Sequence, residues 1–276
     1  MTSVYHWPSG KRLIQFIDTP STTHPSVLPL HDHLLVIRIN EKCVVLDVYK
    51  LQERNSGSDG LLATFGFPPI HRNAFVVESV LIPPCTSSYN ILNPSQRHPL
   101  FYMEPVLVGV LIQVEFLFYI FTVPTAIFQP GQFIPEYSPR SPIESKIIPW
   151  TAWGERYTCV RTATNRSMPM RIFGYNVFTE DEIFNFNPYS HHSLMRHYFQ
   201  SSVAEYVTLT QALTGDDGRG GFTCDIVSRF PHWKVPLNRP EAVTEATSCE
   251  PFESGDGPML LCISDSEFAA EVYSLG

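Results

Sequence analysis

The sequence predicts an all-β protein, an incomplete or open WD40-like β-propeller of short antiparallel sheets. Three observations lead there. Twenty-four prolines in 276 residues are well above average usage, and helix interiors exclude proline. Hydrophobic residues make up 43% and aromatics 13%, which is enough for a large core and too apolar for a disordered chain. Short apolar and β-branched runs recur with turn residues between them, the pattern of a sandwich, barrel or propeller.

The elements follow in order. Val4–Trp7 reads as a strand that Pro8-Ser9-Gly10 turns into Lys11–Ile17. Thr19–Pro29, rich in Pro, Ser and Thr, reads as a loop. Leu34–Ile39 and Lys42–Leu51 are strand-like around a turn at Asn40-Glu41, and Asn55–Gly60 is a polar loop. Phe75–Ile82 is another strand, and Pro83–Pro105 a long connection. Val106–Phe121 is 16 residues of mostly apolar character, short of the ~20 that a membrane-spanning helix needs. Period two places Val108, Val110, Ile112, Val114, Phe116, Phe118 and Ile120 on one face, so the segment reads as a buried strand, or two strands bending near Glu115. The proline-rich stretch Phe128–Pro149 excludes a helix or a central strand. Arg171–Phe178 and Val203–Leu209 read as strands, Gly215–Gly221 as a hairpin tip, and Met259–Ile263 and Ala269–Leu275 as the closing strands. Helical turns find room only in Ser190–Tyr206. The whole, 1–276, reads as one propeller-like domain with a weak subdivision at the proline-rich stretch 129–149.

Internal similarity points the same way. Leu46–Leu51 echoes Ala270–Leu275, and Val4–Lys11 has the look of the third strand and turn of a WD-type repeat. Tyr5 and Tyr49 are 44 positions apart, inside the ~40–45-residue period of a propeller blade.

Composition also bounds function. A net charge of −8 argues against tracking nucleic-acid phosphates. Met1–Trp7 lacks the basic start and apolar run of a signal peptide. Cys43, Cys85, Cys159, Cys224, Cys249 and Cys262 are scattered without a CxxC pair, so no disulfide framework is expected. The expectation is a cytoplasmic or nuclear protein with no nucleic-acid or membrane partner.

The candidate chemistry is sparse. His191, His192 and His197 cluster, but no Cys, Asp or Glu lies among them and their spacing does not build a zinc site. His31 and His33 alternate as on one strand face, and turn hydrogen bonding accounts for them. Gly215–Gly221 is glycine-rich, yet it lacks a P-loop lysine and carries two aspartates that repel phosphate. There is no G-x-S-x-G and no H-E-x-x-H. No catalytic residue, cofactor site or metal site is assigned. Trp150 and Trp153, beside prolines on the approach to a strand, read as aromatics that plug a core or a seam between blades.

Ile148-Pro149-Trp150-Thr151-Ala152-Trp153-Gly154 resembles the "VPWxxWG" stretch of a large family of F-box proteins from mushroom-forming fungi. Val123–Phe128 is similar to that family's "VPTSTLL", Asn185-Phe186-Asn187-Pro188 to its "DFNP", and Val4–Leu13 to its "VWNWKTGxLL". The resemblance covers most of the chain. It singles out Trp150, Trp153, Gly154, Phe186, Asn187 and Pro188 as structural motif residues. It implies a propeller-like β domain that recruits a protein partner for a ubiquitin ligase. The chain departs from the family where Asn185 replaces Asp, where Tyr157–Val160 lacks "TRW", and where strand-like sequence from Val4 stands in place of an F-box.

The expectation is therefore a non-catalytic protein-interaction domain that does not itself bind the ligase adaptor. Two alternatives remain: an F-box substrate receptor whose N-terminal module is missing, and a β-fold hydrolase with a dispersed site. The unpaired edges of an incomplete ring, with only 17% charged residues in the chain, lead us to expect self-association or a protein partner.

Overall fold

The computed structural model describes residues 2–6, 11–16, 26–30, 33–40, 43–50, 60–84, 106–131, 133–134, 146–163, 171–179, 182–187, 205–212, 221–223, 226–236, 248–254, 257–264 and 269–274. The predominant structure is β. In chain order the strands are β1 (Thr2–His6), β2 (Lys11–Phe16), β3 (Ser26–Leu30), β4 (His33–Asn40), β5 (Cys43–Lys50), β6 (Leu61–Gly66), β7 (Val76–Ile82), β8 (Leu107–Val114) and β9 (Leu117–Pro124). A 3-10 turn over Thr125–Phe128, β10 (Lys146–Ile148), helix α1 (Trp150–Tyr157) and β11 (Cys159–Ala163) follow. Then come β12 (Arg171–Phe173), β13 (Asn176–Phe178), β14 (Glu182–Asn185), β15 (Glu205–Val207), β16 (Thr210–Ala212), β17 (Ile226–Ser228) and β18 (His232–Pro236). The last three are β19 (Ser248–Ser254), β20 (Gly257–Ser264) and β21 (Ala269–Ser274). Among the described residues no helix is long and apolar enough to cross a membrane.

The chain forms two compact units. The first comprises Met1–Pro83, Val108–Arg166 and Leu209–Phe230, the second Pro84–Leu107, Ser167–Thr208 and Pro231–Gly276. In the first, a five-stranded sheet runs β10-β6-β5-β4-β3 and a four-stranded sheet β11-β9-β8-β7, and β1-β2 and β16-β17 form two-stranded sheets. In the second, β12-β13-β14-β18-β15 and β19-β20-β21 form antiparallel sheets. Each larger sheet is mainly a meander of strands close in sequence, as short connections favour.

Alternation along the strands explains the core. On β4, Leu35 and Ile37 face one way, opposite Val48 and Leu46 of β5. These residues join Val108, Val110, Ile112, Val114, Tyr119, Phe121, Val123 and Val160 of the second sheet in one continuous core. The opposite face of the first sheet is buried as well. Leu34 is 2% exposed, Val36 1% and Asp47 0%, with Leu34, Val36 and Tyr49 forming their own cluster. The second sheet repeats this: Phe118, Ile120, Thr122, Cys159 and Ala163, across from its core face, are all buried. The central strands of both sheets are thus covered on both sides, which is why they read as nearly continuous apolar runs.

Several expectations are corrected. Thr19–Pro29 was expected to be loop throughout, but Ser26–Leu30 is β3. Pro29 is tolerated because β3 is the edge of its sheet, where a missing N–H leaves no ladder bond broken. Val106–Phe121 is two strands, as the second of its two readings has it, but the turn at Glu115-Phe116 inverts the alternation. Val114 faces the core, but beyond the turn the odd positions Tyr119, Phe121 and Val123 do so, while Phe116 lies 85% exposed at the tip. Arg171–Phe178 is a hairpin rather than one strand, turning at Gly174 with φ +53°, a conformation that glycine adopts without strain. Within Val203–Leu209, Glu205–Val207 is β15, which ends before Thr208, so Tyr206 is in a strand rather than a helical turn. Trp150 and Trp153 lie on a helix, not on a strand approach. The histidine cluster and most of Ser190–Tyr206 fall outside the described residues, as do Asn55–Asp59 and Gly215–Gly220.

Candidate interaction surface and its support

Helix α1 is built by its sequence. Pro149 precedes its first turn in an extended conformation, where proline's missing N–H is harmless, and its carbonyl accepts the amide of Ala152 at 2.9 Å. At the other end the backbone amide and hydroxyl of Thr158 both donate to the Gly154 carbonyl, at 3.0 and 2.7 Å. Trp150, Trp153, Gly154 and Tyr157 are spaced i, i+3, i+4, i+7, a single helical stripe.

That stripe packs into the first unit's core. Trp153 is 1% exposed and Trp150 9%. Trp153 meets Phe65 and Phe67 edge-on at 5.3 and 5.5 Å, Trp150 meets Phe121 at 5.6 Å, and the two indoles lie 5.2 Å apart. The Trp153 indole N–H donates to the Gly66 carbonyl at 3.2 Å, so its one polar atom is satisfied. The helix therefore sits against β6 on one sheet and β9 on the other.

Gly154 is required by this packing, because a methyl group there would overlap the Trp150 indole one turn earlier. Gly154→Ala is expected to cost about 1–3 kcal/mol, the usual range for overpacking, despite alanine's better helix propensity. A denaturant titration checks this, and a variant as stable as the parent would show that the indole moves aside freely.

The second sheet ends in an exposed apolar tip. Phe116 is 85% exposed, Phe75 64% and Val77 39%. The Glu115 amide donates to the Phe75 carbonyl at 3.2 Å, which ties the β8–β9 turn to the start of β7. Glu115 itself has φ +52°, and its carbonyl accepts the Gln113 side-chain amide at 3.0 Å. The preceding segment turns tightly: Ala74 N–H donates to His71 O at 3.0 Å, and His71, Arg72 and Asn73 are exposed. This turn is anchored from below. His71 N–H donates to Gly221 O and Thr223 N–H to Pro69 O, each at 2.9 Å. Phe222 meets Tyr119 at 4.6 Å, and a side chain at Gly221 would overlap Val114.

A buried polar group stands on the second face of the five-stranded sheet. Arg38 Nε donates to Asp47 Oδ2 at 2.5 Å, and Thr64 Oγ1 donates to Asp47 Oδ1 at 2.6 Å. Asp47 lies on β5 between Val36 of β4 and Thr64 of β6. Burial disfavours the charge on Arg38, but hydrogen bonding and attraction to the Asp47 carboxylate outweigh it and hold the guanidinium pKa above its ordinary value.

Cys159 is 1% exposed. Burial pushes its thiol pKa up to about 12, against the smaller opposing effects of Arg161 and the Thr210 hydroxyl. A protonated thiol is a poor nucleophile, so Cys159 is expected to resist iodoacetamide at pH 8 until the protein unfolds and to label after the half-buried Cys43. Peptide mass spectrometry reads this directly. The linkage has a definite sign. The unfolded thiol loses its proton near pH 9 and the folded one near 12, so this residue's contribution to stability is intact below about 9 and is lost as pH climbs through that window.

In the second unit, Asn185 is a corner piece. Its amide donates to Asn176 Oδ1 at 2.7 Å, and its Oδ1 accepts the Asn187 amide at 3.0 Å, an Asx turn that ends β14. Phe186 is buried and lies 5.0 Å from the His232 ring. Asn187 is half-buried, and Pro188 lies outside the described residues. The structure thus brings Trp150, Trp153 and Gly154 together in one unit and places Phe186 and Asn187 in the other. His33, buried at the start of β4, already has an interaction partner, and His31 lies outside the described residues. Among the described residues no three His, Cys, Asp or Glu side chains group as metal ligands do.

The fold and these features define a predominantly β chain of small meandering sheets that, among the described residues, carries an exposed aromatic tip on its second sheet. Comparison with family models, with curated proteins and with solved structures returns no match.

Proposed function

We propose that the chain is a non-catalytic protein-interaction domain of propeller-like blades, akin to the substrate-recruiting β domain of fungal F-box proteins. The observation that carries the architecture is that the central strands of both sheets of the first unit are buried on both faces. A two-layer sandwich leaves its outer faces wet, whereas a blade has a neighbour on each side. The wedge shape supports it. The described strands of the two sheets come closest at β3, β4 and β7, with which the sheets begin. Farther out, α1 and its aromatics fill the space between β6 and β9. The echoing segments Leu46–Leu51 and Ala270–Leu275 fall largely on β5 and β21, each the third strand of its sheet in chain order. The interaction role rests on the Phe75–Phe116 tip, since exposed aromatics grouped on a rigid mount mark contact surfaces.

Three measurements test this reading. An experimental structure is expected to show the sheets radiating about an axis, and flat stacked layers would overturn the architecture. Affinity capture with the full chain and with Phe75→Ser/Phe116→Ser is expected to yield a protein partner that the double variant loses. Turnover of an ester, peptide or glycoside by the purified chain would overturn the non-catalytic assignment.

A further inference from the structure

We infer that the Phe75–Phe116 tip docks a short extended peptide segment that pairs a bulky apolar side chain with a carboxylate, the carboxylate being taken by Arg72. This rests on the interaction-domain reading above and names the chemistry of the partner. The apolar half of the site is Phe116, Phe75 and Val77, the last being the bulged residue of β7 between the pairs Val76–Val114 and Glu78–Gln113.

The charged half follows from the signs around it. Arg72 and His71 are exposed on the turn that leads directly into Phe75. His71 Nδ1 accepts the Asn73 amide at 3.4 Å, so the ring is part of the turn. Of the nearby carboxylates among the described residues, Glu78 is half-buried and already has an interaction partner, and Glu115, in the turn beside Phe116, is half-buried. Among the described residues, the exposed charged side chain on this turn is the cation Arg72, in a chain of net charge −8. An acidic segment is complementary to Arg72, while the net negative charge of the chain disfavours it elsewhere. Guanidinium binds carboxylate through two parallel hydrogen bonds, and arginine and aromatics together are the residues that carry most binding energy at small contact surfaces. The anchored turn needs little ordering on binding, which keeps the entropic cost low.

The test is selection of displayed random 12-residue peptides on the full chain, followed by fluorescence anisotropy with the selected sequences. We expect peptides in which Asp or Glu lies within two residues of a large apolar side chain. Phe116→Ser and Arg72→Glu are each expected to weaken binding at least about tenfold, while Ile147→Ser, an exposed apolar residue of the other sheet, leaves it unchanged. Exchanging the peptide's acid for Lys is expected to restore binding to Arg72→Glu. All three positions are exposed, and unchanged melting curves confirm that the variants fold, with Arg72→Ser available as a milder second variant. If Phe116→Ser weakens binding and Arg72→Glu does not, the acidic preference is wrong and the interaction reading stands. If selection yields nothing, or neither substitution matters, the tip is not a docking surface and that reading loses its support as well.

Discussion

Trp153→Ala is expected to lower the stability of the chain by about 3–5 kcal/mol, the range for deleting a large buried aromatic. Three losses act together. The indole is 1% exposed, so its removal returns a large apolar contact to a cavity that the surrounding sheets cannot close. The edge-on contacts with Phe65, Phe67 and Trp150 disappear, each worth about 0.5–1.5 kcal/mol beyond burial. The Gly66 carbonyl also loses its indole donor. Trp153→Phe separates these effects: it retains part of the packing but not the hydrogen bond, and is expected to fall between the parent and alanine. Urea denaturation of the three proteins decides. An alanine variant within about 1 kcal/mol of the parent would mean that α1 is not fastened to the core.

Arg38→Met is expected to cost about 3 kcal/mol, and Arg38→Met/Asp47→Asn less than that. Asp47 is wholly buried, while 39% of the Arg38 side chain is exposed. Removing the arginine strands a carboxylate among Leu34, Val36 and Tyr49 with only Thr64 to bond it. An uncompensated buried charge is the costly outcome, typically ~3–5 kcal/mol, taken here at its lower end because water already reaches the guanidinium. Neutralising Asp47 in the double variant keeps an acceptor for the Thr64 hydroxyl and removes the charge, so stability partly recovers. If the double variant proves less stable than the single one, charge burial is not what this pair balances.

Much of the fold was legible in the sequence, and the parts that were not have physical reasons. Leu34–Ile39, Lys42–Leu51 and Phe75–Ile82 matched β4, β5 and β7 closely, because β-branched runs bounded by turn residues leave the backbone few alternatives. The strand Ser26–Leu30 was hidden by Pro29, whose usual meaning reverses at a sheet edge. Period two carried across Glu115 put Phe116 with the core, since alternation survives along a strand but not around a two-residue turn. Helix α1 was missed although Trp150, Trp153, Gly154 and Tyr157 already had helical spacing. At eight residues, hard against Pro149, it was outweighed by the proline content around it. The exposed tip was not legible at all, because nothing in the sequence says that residues 75 and 116 lie at the same end of one sheet. That proximity comes from the pairing of β7 with β8 and from one backbone hydrogen bond.

The overlap between Gly154 and Trp150 has a historical side. Alanine at 154 is blocked while the indole at 150 occupies the space, but a smaller side chain at 150 would open it. Change at the two positions is therefore ordered: the tryptophan must yield before the glycine is free to vary. A lineage that has taken the first step and then filled the gap with a methyl at 154 would find the road back closed, since restoring Trp150 alone would now be harmful. The pair behaves as a ratchet, and related chains are expected to show a bulky residue at 150 with glycine at 154, or neither, but seldom a large aromatic facing a side chain.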